Sequence, residues 1–107
     1  MKRQGEGALQ HSIRLALEAL GHIVIRVQSG KVQLGTGAQS RWVHLAMKGT
    51  PDLLVLGRDG KATWLEVKLP TGKVSPAQMA WHSWARTYGH RVAVVRSVSE
   101  ALAAAKA

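Results

Sequence analysis

The chain has 107 residues, no cysteine, 46% hydrophobic residues, and 15 Lys plus Arg against 6 Asp plus Glu, a formal charge of +9. That length supports one core without covalent staples, so a single domain over residues 1–107 is expected. The lack of thiols excludes a disulfide framework and a thiolate metal site. No window reaches the roughly 18 apolar residues of a membrane span, and Met1-Lys2-Arg3 leads into no signal-peptide core. An intracellular, cytoplasmic protein with no membrane partner is therefore expected. So strong a basic excess points to a polyanionic partner. The basic residues run from Lys2 to Lys106 rather than along one helical face, which favours nucleic acid over a lipid surface.

Leu9, Ile13, Leu17 and Leu20 stand at i, i+4, i+8 and i+11, predicting an amphipathic helix over residues 6–20 that stops at Gly21. Residues 22–27 (HIVIRV) read as a strand. Residues 28–40 turn to Gly, Ser, Gln and Thr, and Gly30, Gly35 and Gly37 predict a loop with no regular element. Residues 41–47 (RWVHLAM) alternate enough for a short strand. Residues 52–57 (DLLVLG) and 62–69 (ATWLEVKL) flank Arg58-Asp59-Gly60-Lys61 and read as a hairpin. Ser75-Pro76-Ala77-Gln78 supplies an N-cap, a first-turn proline and a capping-box partner for a helix reaching about Tyr88. Residues 91–96 (RVAVVR) form a last strand, and Ser97 to Glu100 offers a second capping box for an alanine-rich helix. The order α, β, β, β, β, α, β, α predicts an α/β domain, a central mixed sheet flanked by helices. Its β-α-β crossover makes the strands around residues 62–69 and 91–96 parallel.

The hairpin loop decides whether two of the six acids meet. A two-residue loop at Asp59-Gly60 would pair Asp52 with Val67 and send Asp52 and Glu66 to opposite faces. A three-residue loop, with Gly60 in the left-handed conformation of a bulge, pairs Gly57 with Lys61 and sets Asp52 against Glu66. Their Cβ atoms would then lie about 5 Å apart, with Lys68 on the same face about 7 Å away. Like charges so opposed destabilise a sheet, whereas a divalent cation reverses the sign, and hard oxygen ligands suit Mg²⁺ or Mn²⁺. Lys68 beside them can orient or deprotonate an attacking water, or steady charge on a phosphorus. The set reads as a phosphodiester-hydrolysis site.

Pro51-Asp52, thirteen intervening residues, and then Glu66-Val67-Lys68 on consecutive strands resemble the PD-(D/E)xK nuclease superfamily. The chain looks most like its VRR-Nuc branch, whose small stand-alone members occur in phages and bacteria. Glu6 in the opening helix, the Ser75 to Gln78 helix start, and Val94-Val95-Arg96 before Ser97 support this. The late strand has one arginine fewer than the branch's eponymous pattern. The resemblance implies a restriction-endonuclease-like core similar to Holliday junction resolvases and Mg²⁺ or Mn²⁺ dependence. It implies metal ligands from Asp52, Glu66 and the main-chain carbonyl of Val67, with Glu6 as a second-metal or water-mediated ligand. It further implies a branched or four-way DNA substrate, a homodimer, and a bacterial or phage-infected host cell.

Plainer roles compete for several residues. Asp52 can be a turn aspartate after Pro51, and Glu66 with Lys68 an edge-strand ion pair worth little. Gln78 has a sufficient structural task in the capping box, alongside support of catalysis. Glu6 is favoured near a helix N-terminus by the dipole alone. His44, His82 and His90 show no metal-ligand spacing with one another, and none of the five histidines receives a role. Trp81 and Trp84, at i and i+3, are expected to pack against the sheet, with a dimer seam shared with Met79 and Tyr88 as the alternative. Trp42 and Trp64 are expected in the core. Lys48 and Lys73, flanking the site, and Lys31 and Arg41, bracketing the glycine-rich segment, are the candidate nucleic-acid contacts. The leading expectation is a metal-dependent endodeoxyribonuclease. Its rivals are a non-catalytic DNA-binding module on the same fold and a small RNA-binding protein, the latter opposed by the lack of an aromatic RNP pattern or Gly-x-x-Gly clamp.

Overall fold

The computed structural model describes residues 3–27, 31–44 and 47–106, with the side chains of 3–4, 31–34 and 41–44 outside the description. In chain order, α1 (Arg3–Ala19) is followed by β1 (Ile23–Arg26), β2 (Lys31–Leu34), β3 (Arg41–His44), β4 (Leu53–Leu56) and β5 (Ala62–Val67). Then come α2 (Pro76–Thr87), β6 (Arg91–Val95) and α3 (Val98–Lys106). The main sheet has four strands in the order β1-β4-β5-β6. β1 and β5 pair antiparallel with β4, and β6 lies parallel to β5. This is the expected mixed α/β sheet, and the β5-α2-β6 crossover makes its parallel pair.

Two expectations change in the middle of the chain. The segment 28–40 contains a strand: β2 pairs antiparallel with β3 in a separate two-stranded sheet, Lys31 opposite His44 and Leu34 opposite Arg41. The glycines bound this strand instead of abolishing it, with Gly35 and Gly37 taking positive φ in the bend that joins it to β3. A short strand flanked by glycine leaves a weak local signal and forms only because a partner ladder exists. β3 accordingly belongs to this ribbon and not to the main sheet.

Alternation along the strands separates two sheet faces. One carries Val24, Leu53, Val55, Leu65, Val67 and Val95, which are buried with Ile13 and Leu17 of α1 and Ala101 and Ala105 of α3. That is the hydrophobic core. α3 starts at Ser97, whose Oγ accepts from Glu100 N at 3.1 Å. Glu100 departs from the usual capping box, its Oε1 accepting from Arg96 N at 2.7 Å. Arg96 Nη1 in turn donates to the carbonyls of Leu69 at 2.7 Å and Gly72 at 2.7 Å, tying the loop that leaves β5 to the end of β6. The opposite sheet face carries Leu54, Trp64 and Glu66, and α2 covers part of it through the side chains that reach Glu66.

Candidate active site

The β4–β5 turn has the bulged three-residue form. Gly57 N donates to Lys61 O at 2.8 Å, Gly60 N donates to Gly57 O at 3.0 Å, and Gly60 takes φ +87°, a conformation that favours glycine. Leu53 therefore faces Leu65, and one step further along the same ladder Asp52 faces Glu66. Asp52 Oδ2 accepts from Val67 N at 2.8 Å, which fixes the aspartate against the Glu66-Val67-Lys68 segment.

Glu66 is 1% exposed. Burial, then the charge of Asp52 and a hydrogen bond with it, push its carboxyl up to about 9. Lys68 pulls the other way, and Glu6 adds a smaller repulsion, so both lie within electrostatic reach of Glu66. Glu6 comes there on the first turn of α1, where neighbouring Gly5 sits so close to Leu69 that an added Cβ would be 3.2 Å from Leu69 Cδ1. In the absence of a cation, Glu66 keeps a proton at neutral pH.

Both oxygens of Glu66 are held by α2. Gln78 Nε2 donates to Oε2 at 3.2 Å, and His82 Nε2 lies 3.1 Å from Oε1. Gln78 also completes the capping box: its Oε1 accepts from Ser75 N at 2.8 Å while its own N donates to Ser75 Oγ at 3.2 Å. This fixes the orientation of the amide. Reversing it would set an oxygen against the Glu66 carboxyl and an NH₂ against a backbone N–H.

His82 is 3% exposed. Burial, and then the charge of Arg86, hold its imidazole below the usual histidine range, so it is neutral at physiological pH. The contact with Glu66 is thus a hydrogen bond, with Nε2–H donating when Glu66 is ionised. Sequence reasoning gave no histidine a role, and here the structure differs. The available signal was the i, i+4 spacing of Gln78 and His82, which puts both on one helical stripe. His22 has a local task as well, its Nδ1 accepting from Arg58 N at 3.2 Å and anchoring the hairpin turn.

Of the other sequence-predicted residues, Lys48 and Lys73 are exposed on loops before β4 and after β5. Lys31 and Arg41 stand on β2 and β3, and their side chains lie outside the described residues, as does that of Trp42. Trp64 is half-buried on β5, in edge-to-face contact with Trp81 at 5.2 Å. The expected packing of Trp84 against the sheet does not occur: it is 56% exposed. Among the described residues of α2, His82 and Ala85 are the buried ones, because the sheet beneath presents a carboxyl that needs a polar partner.

Asp52, Glu66 and the Val67 carbonyl offer hard oxygen donors, and two carboxylates forced together beneath a helix need a cation or a shared proton. This chemistry fits Mg²⁺ or Mn²⁺. No ready-made cluster of three or more His, Cys, Asp or Glu occurs among the described residues. Asp52 and Glu66 alone would fill only part of an octahedral shell, which suits a cation that keeps water and phosphate oxygens among its ligands.

A mixed sheet with an aspartate at the head of one strand and Glu-x-Lys at the end of its hairpin partner defines a restriction-endonuclease-like domain. A family model of the VRR-NUC domain matches residues 7–99. A solved structure described as a VRR_NUC domain is similar at a TM-score of 0.66 and 30% identity, over 92% of this chain and 90% of that one. No curated protein matches the chain. The chain belongs to the VRR-NUC domain family, a nuclease family for which DNA is the partner.

Proposed function

We propose that the protein is a metal-dependent endodeoxyribonuclease that hydrolyses phosphodiester bonds at the Asp52–Glu66–Lys68 site, with a preference for branched DNA such as four-way junctions. One observation carries this reading: Glu66, 1% exposed, faces Asp52 while α2 turns a glutamine and a histidine onto its two oxygens. A DNA-binding module gains nothing from two carboxylates turned toward phosphate. Burying one of them costs stability unless the site has a cation to hold.

Asp52, Glu66 and the Val67 carbonyl are the ligand set, with Glu6 a candidate for a second or water-mediated contact. When bound, Mg²⁺ or Mn²⁺ would neutralise phosphate charge and lower the pKa of a coordinated water. The chain's own residues do the rest. Gln78 and His82 hold the Glu66 carboxylate in one orientation, and the Val67 amide holds Asp52. Lys68 faces the same space and offsets the negative charge that grows on the nonbridging oxygens as a water oxygen bonds to phosphorus and the in-line P–O bond breaks. Lys48 and Lys73 take flanking phosphates.

The resemblance to junction resolvases supports two finer elements, the branched substrate and a homodimer in a bacterial or phage-infected cell. The deciding assay incubates linear, nicked, flapped and four-way DNA with Mg²⁺, Mn²⁺ or EDTA. Cleavage is expected with either metal and not with EDTA. Asp52→Ala and Glu66→Ala are expected to abolish it while DNA binding stays intact or tightens, since an anionic repulsion has gone. Mutants that cut at the wild-type rate would remove the site from consideration. Sedimentation of the free protein tests the dimer.

A further inference from the structure

The exposed side of α2 carries a second feature that the nuclease reading does not use. Met47, Lys48, Ala77, Ala80, Trp81 and Trp84 line a groove of about 510 Å³. Ala77, Ala80, Trp81 and Trp84 follow at i, i+3, i+4 and i+7, a stripe adjacent to the Gln78–His82 stripe that holds Glu66. The opposite wall is the turn that leads into Asp52. There the backbone approaches α2 so closely that a Cβ at Gly49 would collide with the Ala77 carbonyl. The groove is thus built on the same helix that holds Glu66 and on the turn that leads into Asp52.

Its chemistry is specific. The indoles of Trp81 and Trp84 stand 6.2 Å apart at 59°, and Trp84 also lies 5.8 Å from His90 at 21° and 5.4 Å from Tyr88 at 47°. The two alanines leave open space beside the rings, and Lys48 is the charged residue of the lining. A flat aromatic ligand with a negative charge at one end matches such a surface, and successive bases of unpaired DNA are recognised by this combination of ring and cation.

A second copy of the chain matches it poorly. It too carries a charge of +9, and it offers few acids outside the site. Glu18 lies 3.9 Å from Arg14, Asp59 Oδ1 accepts from Lys61 N, and Glu100 Oε1 accepts from Arg96 N. Lys48 would therefore be buried in such a seam without an evident counter-charge, which is costly.

We propose that this groove receives an unpaired nucleobase of the DNA substrate, stacked on the exposed Trp84 with the tilted Trp81 against its edge and Lys48 on the adjoining phosphate. DNA with an unpaired nucleotide beside the cleavage point is thereby selected. The proposal rests on the nuclease reading for the direction of the strand, and it supplies the device by which branched DNA is told from continuous duplex.

The test uses a flapped duplex carrying 2-aminopurine in the unpaired strand and a fully paired duplex of the same length. Binding is measured in EDTA by anisotropy and 2-aminopurine fluorescence, with sedimentation velocity in parallel. The wild type is expected to prefer the flapped DNA and to quench the probe. Trp84→Ala, a change at an exposed position, should weaken flapped-DNA binding about 5- to 150-fold and leave paired-duplex binding unchanged. Trp84→Phe should restore most of the loss. Equal weakening on both DNAs, no weakening on either, or an unquenched probe overturns the proposal. So does a wild-type dimer that Trp84→Ala dissociates while the flap preference persists, because the groove then belongs to a second copy. The two readings separate cleanly: Trp84-dependent flap binding without cleavage in Mg²⁺ or Mn²⁺ retains the groove and removes the nuclease assignment.

Discussion

Glu66 is the residue around which the rest is arranged, and its proton gives the site a measurable signature. The unfolded chain titrates this carboxyl near 4.5, whereas the folded, metal-free protein holds the proton up to about 9. The native state is therefore favoured at low pH, and this contribution is lost as pH climbs from about 4.5 to about 9. Melting temperature in EDTA should fall across that window for the wild type. Glu66→Gln, which keeps the shape of the protonated acid, should flatten the fall and melt higher at its alkaline end. A wild-type curve no steeper than that of Glu66→Gln would mean that Glu66 is not held protonated. If Glu66 holds a metal as proposed, His82, 3.1 Å from its Oε1, is an outer partner, and removal of such a partner typically costs about 10- to 100-fold in metal affinity or activity. His82→Ala is expected to lower cleavage by that factor and to raise the Mg²⁺ concentration needed for half-maximal rate. A loss unaffected by Mg²⁺ concentration would leave His82 with a packing role alone.

At this scale the sequence was legible where chemistry fixes residue type and spacing. Asp52, Glu66 and Lys68 are readable because the Arg58-Asp59-Gly60 turn determines their register. His82 was not, since a single histidine inside a helix carries no sign of what lies beneath it.

The elements tell a similar story with a different cause. The capping residues of α2 are explicit in Ser75-Pro76-Ala77-Gln78, and the helix begins where they place it. Its rotation about its own axis was hidden. Apolar periodicity points to the tryptophans as the inward face, yet His82 and Ala85 are buried and Tyr88 is 68% exposed. A hydrophobic stripe predicts burial against an apolar surface, and β5 offers a carboxyl at the point of contact. β2 was missed for a third reason, because its stability lies in pairing with β3 and not in its own composition. The two ends of the α2 cap should be separable by mutation. Ser75→Ala is expected to cost about 1 kcal/mol of stability with cleavage nearly unchanged. Gln78→Ala should show a comparable loss of stability together with slower cleavage. Denaturant titration and single-turnover rates on the same variants distinguish the two, and equal effects on cleavage would dissolve the distinction.

Over the whole molecule, charge is distributed to meet a phosphate chain. Only 6 Asp plus Glu stand against 15 Lys plus Arg, so little opposes the positive field. DNA affinity should fall linearly on a log–log salt plot, with a slope of about −0.9 for each phosphate neutralised on duplex DNA. Lys48→Gln and Lys73→Gln should each reduce that slope by about 1. A salt-independent affinity would exclude phosphate contacts as the main attraction. No helix among the described residues is long and apolar enough to cross a membrane.

The double engagement of Gln78 constrains how this protein can change over time. One amide closes the opening turn of a helix with its oxygen and steers an acid with its nitrogen. Assembly of the scaffold and shaping of the reaction centre are consequently a single event at that position. A substitution there cannot be compensated by a new cap alone or by a new donor alone, so drift at residue 78 requires two simultaneous repairs, whereas its neighbour Ser75 needs one.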